Sequence, residues 1–265
     1  MRYCEIRMKS KHPTQLFTLA ALMAGALTVF GAEVREEFHQ TYKLDKTGEV
    51  SLENVNGNVK ITTWDREEIK VDAIKKAKKQ EHLDVVKIDV QSTSEKIRIK
   101  TKYPDSKNNN NSTSVDYDLT VPRDSRLNKI SNVNGGVTIE RVRGNVDASS
   151  VNGPVTGNWL AGELHLSTVN GSVKATLGEL RKPVSLKSVN GSVSLALPAG
   201  ANADISADSV NGGISSDFDL KVRKSFPIGQ KLEAKLGDGG PEVKLSTVNG
   251  GIHIDRAKAG SAENE

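Results

Sequence analysis

Residues able to do chemistry are few in this 265-residue sequence, and they are scattered. His39, His82, His165 and His253 stand far apart, and no His-Glu-x-x-His run pairs two of them for zinc. There is neither a Gly-x-Ser-x-Gly nucleophile elbow nor a phosphate-binding loop. Asp204 with Asp208, and Asp217 with Asp219, could bring carboxylates to calcium, but neither pair follows the EF-hand loop or the calcium-binding nonapeptide. A carboxylate pair on one face could also cleave a glycosidic bond. Against that, the chain after residue 32 has only eight Trp, Tyr and Phe residues to line a sugar cleft. Lys75, Lys76, Lys78 and Lys79 form one basic cluster suited to an anionic polymer such as lipopolysaccharide. Glu67, Glu68 and Glu81 flank it, so it reads as a solvated mixed-charge face. The expectation is a protein with no catalytic residue, no metal site and no cofactor.

Residues 1–32 read as a signal peptide. Arg2, Arg7, Lys9 and Lys11 precede an apolar run, Leu16 to Phe30, which small residues Gly31 and Ala32 close. That run is shorter than the roughly 20 residues a membrane-spanning helix needs. The segment contains Cys4, the chain's one cysteine, so the expected mature protein has no disulfide and no thiolate ligand. It also holds four of the 37 basic residues and one of the 33 acidic ones. The remainder therefore has 33 basic and 32 acidic residues, a net charge of +1 against +4 for the whole chain. Such a balance provides no long-range field toward phosphate polymers, and no nucleic-acid partner is expected.

A repeat dominates the chain beyond this segment. Val-Asn-Gly occurs seven times, at Asn56-Gly57, Asn134-Gly135, Asn152-Gly153, Asn170-Gly171, Asn190-Gly191, Asn211-Gly212 and Asn249-Gly250. Successive asparagines are 78, 18, 18, 20, 21 and 38 residues apart. A period of about 19 fits all of these if the long gaps span two and four units, and such a period signals a solenoid. Each copy has an apolar residue three before the motif valine (Leu52, Ile130, Ala148, Leu166, Leu186, Ala207, Leu245). Each also has Val or Ile two after the glycine (Val59, Val137, Val155, Val173, Val193, Ile214, Ile252). Gly144 and Gly162 mark a half-period, so a unit reads as two short strands joined by two turns. Glycine and asparagine suit turns that need positive φ. Between the turns, alternation as in Val137-Thr138-Ile139 buries every second side chain.

These features predict an all-β fold, a β-solenoid akin to a parallel β-helix, with coils stacked ~4.8 Å apart. Stacked valines would form the core, and the asparagines would form an amide ladder that satisfies buried backbone at the turns. A Ser/Thr file (Ser149-Ser150, Ser167-Thr168, Ser188, Ser209, Ser246-Thr247) runs beside it. It could order water or glycan, or simply fill an exposed strand. The expected divisions are the signal peptide 1–32, an N-terminal β region 33–125 of early coils or a cap, the repeat solenoid 126–255 and a tail 256–265. Asp72–Val86 has some helical character, Ser106–Ser114 reads as a loop, and 217–240 as a hairpin bulging from one coil.

Several segments resemble one bacterial family. They are Leu52-Glu53-Asn54-Val55-Asn56-Gly57-Asn58-Val59 with Trp64-Asp65-Arg66, then Leu119-Thr120-Val121-Pro122, then Leu236-Gly237-Asp238-Gly239-Gly240-Pro241 leading into Leu245 to Ile252. The chain resembles, over roughly 35–255, the adhesin-like proteins with repeated β-strands, a domain-of-unknown-function family akin to autotransporter adhesin head domains. The resemblance implies the solenoid and brings no catalytic residues. It points to an exported envelope protein, periplasmic, at the cell surface or secreted, that works by contact. The expected partner is envelope polysaccharide or a surface or membrane protein. The alternatives are a structural or stress-related envelope component with a membrane partner, and a carbohydrate-active enzyme.

Overall fold

The computed structural model describes residues 33–104, 113–220, 223–224 and 229–257, with the backbone alone at 223–224. The signal peptide expected at 1–32 lies outside the described residues. So do the loop at 106–114, apart from Thr113 and Ser114, and the tail beyond Ala257.

The chain enters through β1 (Val34–Lys43) and makes a coil of β2 (Glu49–Glu53) and β3 (Val59–Trp64). It then leaves the coil path through β4 (Glu68–Ala77), helix α1 (Gln80–Asp84) and β5 (Lys87–Ser92). A second coil comes next, β6 (Lys96–Lys102) with β7 (Ser114–Pro122). Four coils stand in direct succession: β8 (Arg126–Asn134) with β9 (Val137–Glu140), β10 (Val146–Asn152) with β11 (Val155–Leu160), β12 (Leu164–Asn170) with β13 (Val173–Leu177), and β14 (Val184–Asn190) with β15 (Val193–Leu197). The last stretch holds β16 (Ala203–Asn211), β17 (Ile214–Ser216), β18 (Arg223–Lys224), β19 (Gln230–Leu236), β20 (Glu242–Asn249) and β21 (Ile252–Arg256).

Every coil places one strand in each of two sheets. One sheet runs β1-β4-β7-β3-β9-β11-β13-β15-β21-β17, the other β18-β19-β16-β20-β14-β12-β10-β8-β2-β6-β5. All pairings between coils are parallel, and antiparallel pairs occur only at the two ends. This is the β-solenoid expected from the repeat. The two apolar rows of the repeat lie in register: Val59, Val137, Val155, Val173, Val193, Ile252 and Ile214 in one sheet, and Leu52, Ile130, Ala148, Leu166, Leu186, Leu245 and Ala207 in the other. All are buried and belong to one continuous core. The larger of them each contribute on the order of 1.5–3 kcal/mol.

The coil order corrects the arithmetic of the long gaps. Asn56 and Asn134 are 78 residues apart yet sit in adjacent coils, joined by a parallel bridge. The intervening chain does not stack four coils. It travels outward to build β6 and β7 on the far side of β2 and β3, then returns. The C-terminal end does the same: β20 and β21 insert between the β14–β15 coil and the β16–β17 coil. Of the hairpin expected at 217–240, the described residues include β18 and β19, which pair antiparallel and continue the sheet beyond β16 instead of bulging from a coil. β19 lies antiparallel on β16 and covers that end of its sheet. The helical character expected in Asp72–Val86 is confined to Gln80–Asp84; residues 72–77 complete β4. Region 33–125 is both early coils and cap: β2, β3, β6 and β7 are coils, whereas β1, β4 and β5 close the end.

Candidate functional site: the asparagine edge

Where each coil passes from one sheet to the other at Val-Asn-Gly, the seven asparagines form an unbroken file. Asn134 Nδ2 donates to Asn56 Oδ1 at 2.7 Å, and Asn152 to Asn134 at 2.9 Å. Asn170 donates to Asn152 and Asn190 to Asn170, both at 2.8 Å. Asn249, not Asn211, comes next, at 2.7 Å from Asn190 Oδ1. Asn211 then donates to Asn249 at 2.9 Å. The file thus follows spatial order and crosses the chain's reversal without a break. The six asparagines from Asn134 onward are exposed. Each of the five between Asn134 and Asn249 uses one amide hydrogen and one carbonyl lone pair inside the file. A second of each remains to face solvent.

The buried turn backbone is satisfied by a different residue, two positions earlier. Gly57, Gly135, Gly171, Gly191 and Gly250 donate their N–H to an asparagine carbonyl of a neighbouring coil, as Gly171 does to Asn190 at 3.1 Å. The carbonyls of all the motif glycines but Gly212 accept from a side chain of an adjacent coil. The donors are Asn132 to Gly57, Ser150 to Gly135, Thr168 to Gly153, Ser188 to Gly171, Thr247 to Gly191 and Ser209 to Gly250, all at 2.7–2.9 Å. These hydroxyls and amides are buried. This corrects two expectations: apart from Asn56, which donates to Thr113 O at 3.5 Å, the motif asparagine side chains bond one another and not buried backbone, and five of the eight Ser/Thr file residues are buried donors that do not fill an exposed strand. The sequence carried the signal, because the residue before each Val-Asn-Gly is always Asn, Ser or Thr.

The glycines serve close approach more than unusual φ. Of the motif glycines only Gly57 and Gly135 have positive φ. At Gly171 a Cβ would lie 2.4 Å from Gly153 O, and at Gly191 it would lie 1.9 Å from Gly171 O. The coils touch backbone to backbone there, leaving no room for a side chain. Gly162 repeats this contact on the opposite edge, against Gly144 O at 2.2 Å.

The motif valines point outward. Val151, Val169, Val189 and Val248 are each 40% exposed, Val210 41% and Val55 36%, and Val133 is half-buried. They stack beside the amides as a ridge of methyl groups. The strip formed by valine, asparagine, glycine and the residue after it (Asn58, Gly136, Pro154, Ser172, Ser192, Gly213, Gly251) contains no charged side chain in any of the seven coils. The motif itself fixes three of every four positions, and none of the seven residues after the glycine is charged, where 26% would make about two. Stacking does not forbid it. The outward row two pleats away, in the same strands, holds Asp147, His165 and Lys244.

The other candidate residues do not converge. Lys75 is buried, pairs with Glu36 at 2.8 Å and donates to Val86 O at 3.1 Å. Lys76 pairs with Asp116 at 2.7 Å and Lys79 with Glu81 at 3.2 Å. The cluster is therefore not a solvated face throughout: part of it holds the cap together. Asp204 and Asp208 lie on one strand, two pleats and about 13 Å apart, too far to share a cation. Asp217 Oδ2 accepts the Arg256 N–H at 3.1 Å. His39 sits between Asp72 and Glu37, His165 beside Glu163 and His253 against Ser215. Trp64-Asp65-Arg66 builds the β3–β4 turn. Trp64 Nε1 donates to Glu68 O at 2.7 Å, and the Arg66 guanidinium lies 4.9 Å above the indole. Arg123 grips Asp65 through two bonds of 3.0 and 3.1 Å and holds its carboxyl below the usual range.

Residues 128–255 match the family model of the Toastrack domain DUF4097, a domain of unknown function. A candidate cell adhesion protein of Clostridium sporogenes ATCC 15579 shares the fold, with a TM-score of 0.50 at 14% identity over 84% of this chain and 100% of that one. A candidate adhesin of Bacteroides fragilis NCTC 9343 aligns at a TM-score of 0.38 and 12% identity, over 84% of this chain and 97% of that one. No curated protein matches the sequence significantly.

Proposed function

We propose that this chain, whose residues 128–255 match the Toastrack DUF4097 family model, is an exported envelope protein that recognises an envelope component by surface contact, without catalysis. One observation supports this reading above the rest. The fold spends its repeat on a rigid outer face, in which identical side chains recur at every coil along one line. Such a line makes many weak contacts at once, and fixed geometry lowers the entropic cost of each. The cell-adhesion description of the like-folded Clostridium sporogenes protein agrees in kind. Export rests on the basic, apolar and small-residue pattern of the first 32 residues.

The test is a binding titration of the purified protein, residues 33–265, against outer membrane, peptidoglycan and lipopolysaccharide fractions. Saturable binding to one fraction is expected. Absence of binding to all of them would overturn the recognition reading and favour a structural envelope component that works with a protein partner.

A further inference from the structure

The structure points to a specific ligand surface, and we infer that the Val-Asn ridge is the binding line for an extended, uncharged glycan strand lying along the solenoid axis. This deepens the recognition reading and rests on it.

Three observations carry the inference. The first is the identity of the ridge residues. Val151, Val169, Val189 and Val248 are each 40% exposed, so burial does not dictate valine there. Threonine has the same shape and similar strand preference, yet all seven positions are valine. The second is electrostatic. The strip presents no charge in any of its seven coils, the seven positions after the glycine included. An anionic polymer would find no cation on it, and a neutral polymer would not have to strip water from an unpaired charge. The neutral zone is widest at Asn134 and Asn152, where Ser131 and Ser149 border it on one side and Thr138 and Thr156 on the other; at Asn170 Ser167 borders one side but Lys174 the other.

The third observation is dimensional. Six coil intervals of ~4.8 Å make a ridge about 29 Å long and about 10 Å wide, near 300 Å² in area. A stable second copy needs roughly 800 Å² per partner, so the ridge is too narrow for self-association. It is long and thin, which suits one polymer chain. The free hydrogen and lone pair of each amide recur at the coil spacing and face hydroxyls well, while the adjoining methyl groups pack against a sugar ring's C–H face. An extended peptide repeats its same-side groups about every 6.8 Å and falls out of step within two coils.

The test uses the purified protein with a neutral probe, the β-1,4-linked hexamer of N-acetylglucosamine, beside cellohexaose, polygalacturonate and a neutral extended decapeptide. Two variants are compared with wild type: Val151→Glu with Val169→Glu, and the milder Val151→Thr with Val169→Thr, which keeps side-chain shape if the charged pair fails to fold. Lys182→Glu, exposed in the β13–β14 turn on the opposite edge, is the control. The expected result is saturable binding of a neutral hexamer, with shifts in the side-chain amide resonances of Asn152 and Asn170. The glutamate pair should weaken it at least ~tenfold, equivalent to ~1.4 kcal/mol. The threonine pair should weaken it measurably, and Lys182→Glu should leave it unchanged. Equal binding by wild type and both ridge variants, or binding only to polygalacturonate or only to the peptide, overturns the inference. If wild type binds an envelope fraction but neither neutral hexamer, the ridge inference fails and the recognition reading survives. If it binds no fraction, the recognition reading itself fails.

Discussion

Thr168 and Asn170 stand two residues apart and do different work. The Thr168 hydroxyl is buried and gives the Gly153 carbonyl its hydrogen bond at 2.8 Å. Thr168→Val keeps the shape and leaves that carbonyl unpaired, so it should cost about 1–3 kcal/mol, read as a lower urea midpoint at unchanged slope. Thr168→Ser should recover most of the loss. Asn170 bonds Asn152 and Asn190 at the surface, both at 2.8 Å. Asn170→Ala should cost about 1 kcal/mol, because the two orphaned amides can turn to water. If Asn170→Ala proves the more damaging of the two, the division of labour between hydroxyl and amide is wrong. Gly171→Ala should exceed Asn170→Ala, since its Cβ meets the Gly153 carbonyl, which is backbone and cannot swing aside.

At the scale of the element, the ends of the solenoid need more protection than its middle, because an end strand offers unpaired backbone to other chains. β1 is such an edge, and it is studded with charge. His39 on β1 bonds Asp72 on β4 at 2.7 Å and Glu37 at 3.1 Å. The hydrogen bonds to Asp72 and then Glu37 raise the His39 pKa above 6.5. Burial pushes Asp72 up, but the bonds from Lys70 and His39 prevail and leave it below 3.8. The raised histidine stabilises β1 fully below pH 6.5, and that contribution is lost as pH rises through its folded pKa. The lowered carboxylate stabilises above 3.8, and that contribution is lost as pH falls through its own folded pKa. Hydrogen-exchange protection of the β1 amides, corrected for intrinsic rates, should therefore fall as pH rises past 6.5 and through the raised folded pKa. In His39→Gln that pH dependence should disappear. At the opposite end β17 is only three residues long, and Gln230 Oε1 accepts the Ile214 N–H at 2.6 Å.

Across the whole molecule, stacking order and chain order part company at both ends. The coil containing Asn249 is the sole bridge between the coil of Asn190 and that of Asn211. A chain stopped after Ser216 would lack this bridge, and β16 and β17 would have to cross an empty place in the stack. Such a truncation should lose protection throughout residues 203–216 while the coils from Asn134 to Asn190 stay protected, as exchange mass spectrometry would show. Retained protection at 203–216 would mean that β16 can dock directly on β14, so that the observed order is one of two workable stackings. Stability in such an array is a sum of neighbour terms, so loss at one end need not spread.

The repeat made much of this legible without coordinates. Leu166, Val173 and their equivalents declare the inward rows by alternation, and Asn170 with Gly171 declares the turn, because these are local properties of a few residues. Period alone gave the coil and its two strands. Other features depended on which residues meet across the stack. Nothing local says that Asn249 follows Asn190, since any coil's amide fits any other's, and only the path of β19 and the excursion at the N-terminal end decide it. The same holds for Thr168, whose partner lies 15 residues away in the preceding coil. Val169 is apolar by type yet lies at the surface, one residue past the buried hydroxyl in the alternation. Residue order alone specifies what each coil is. The order of the coils, and the face they turn to water, emerge only on folding, because identical local units leave those choices to the ends that break the repeat.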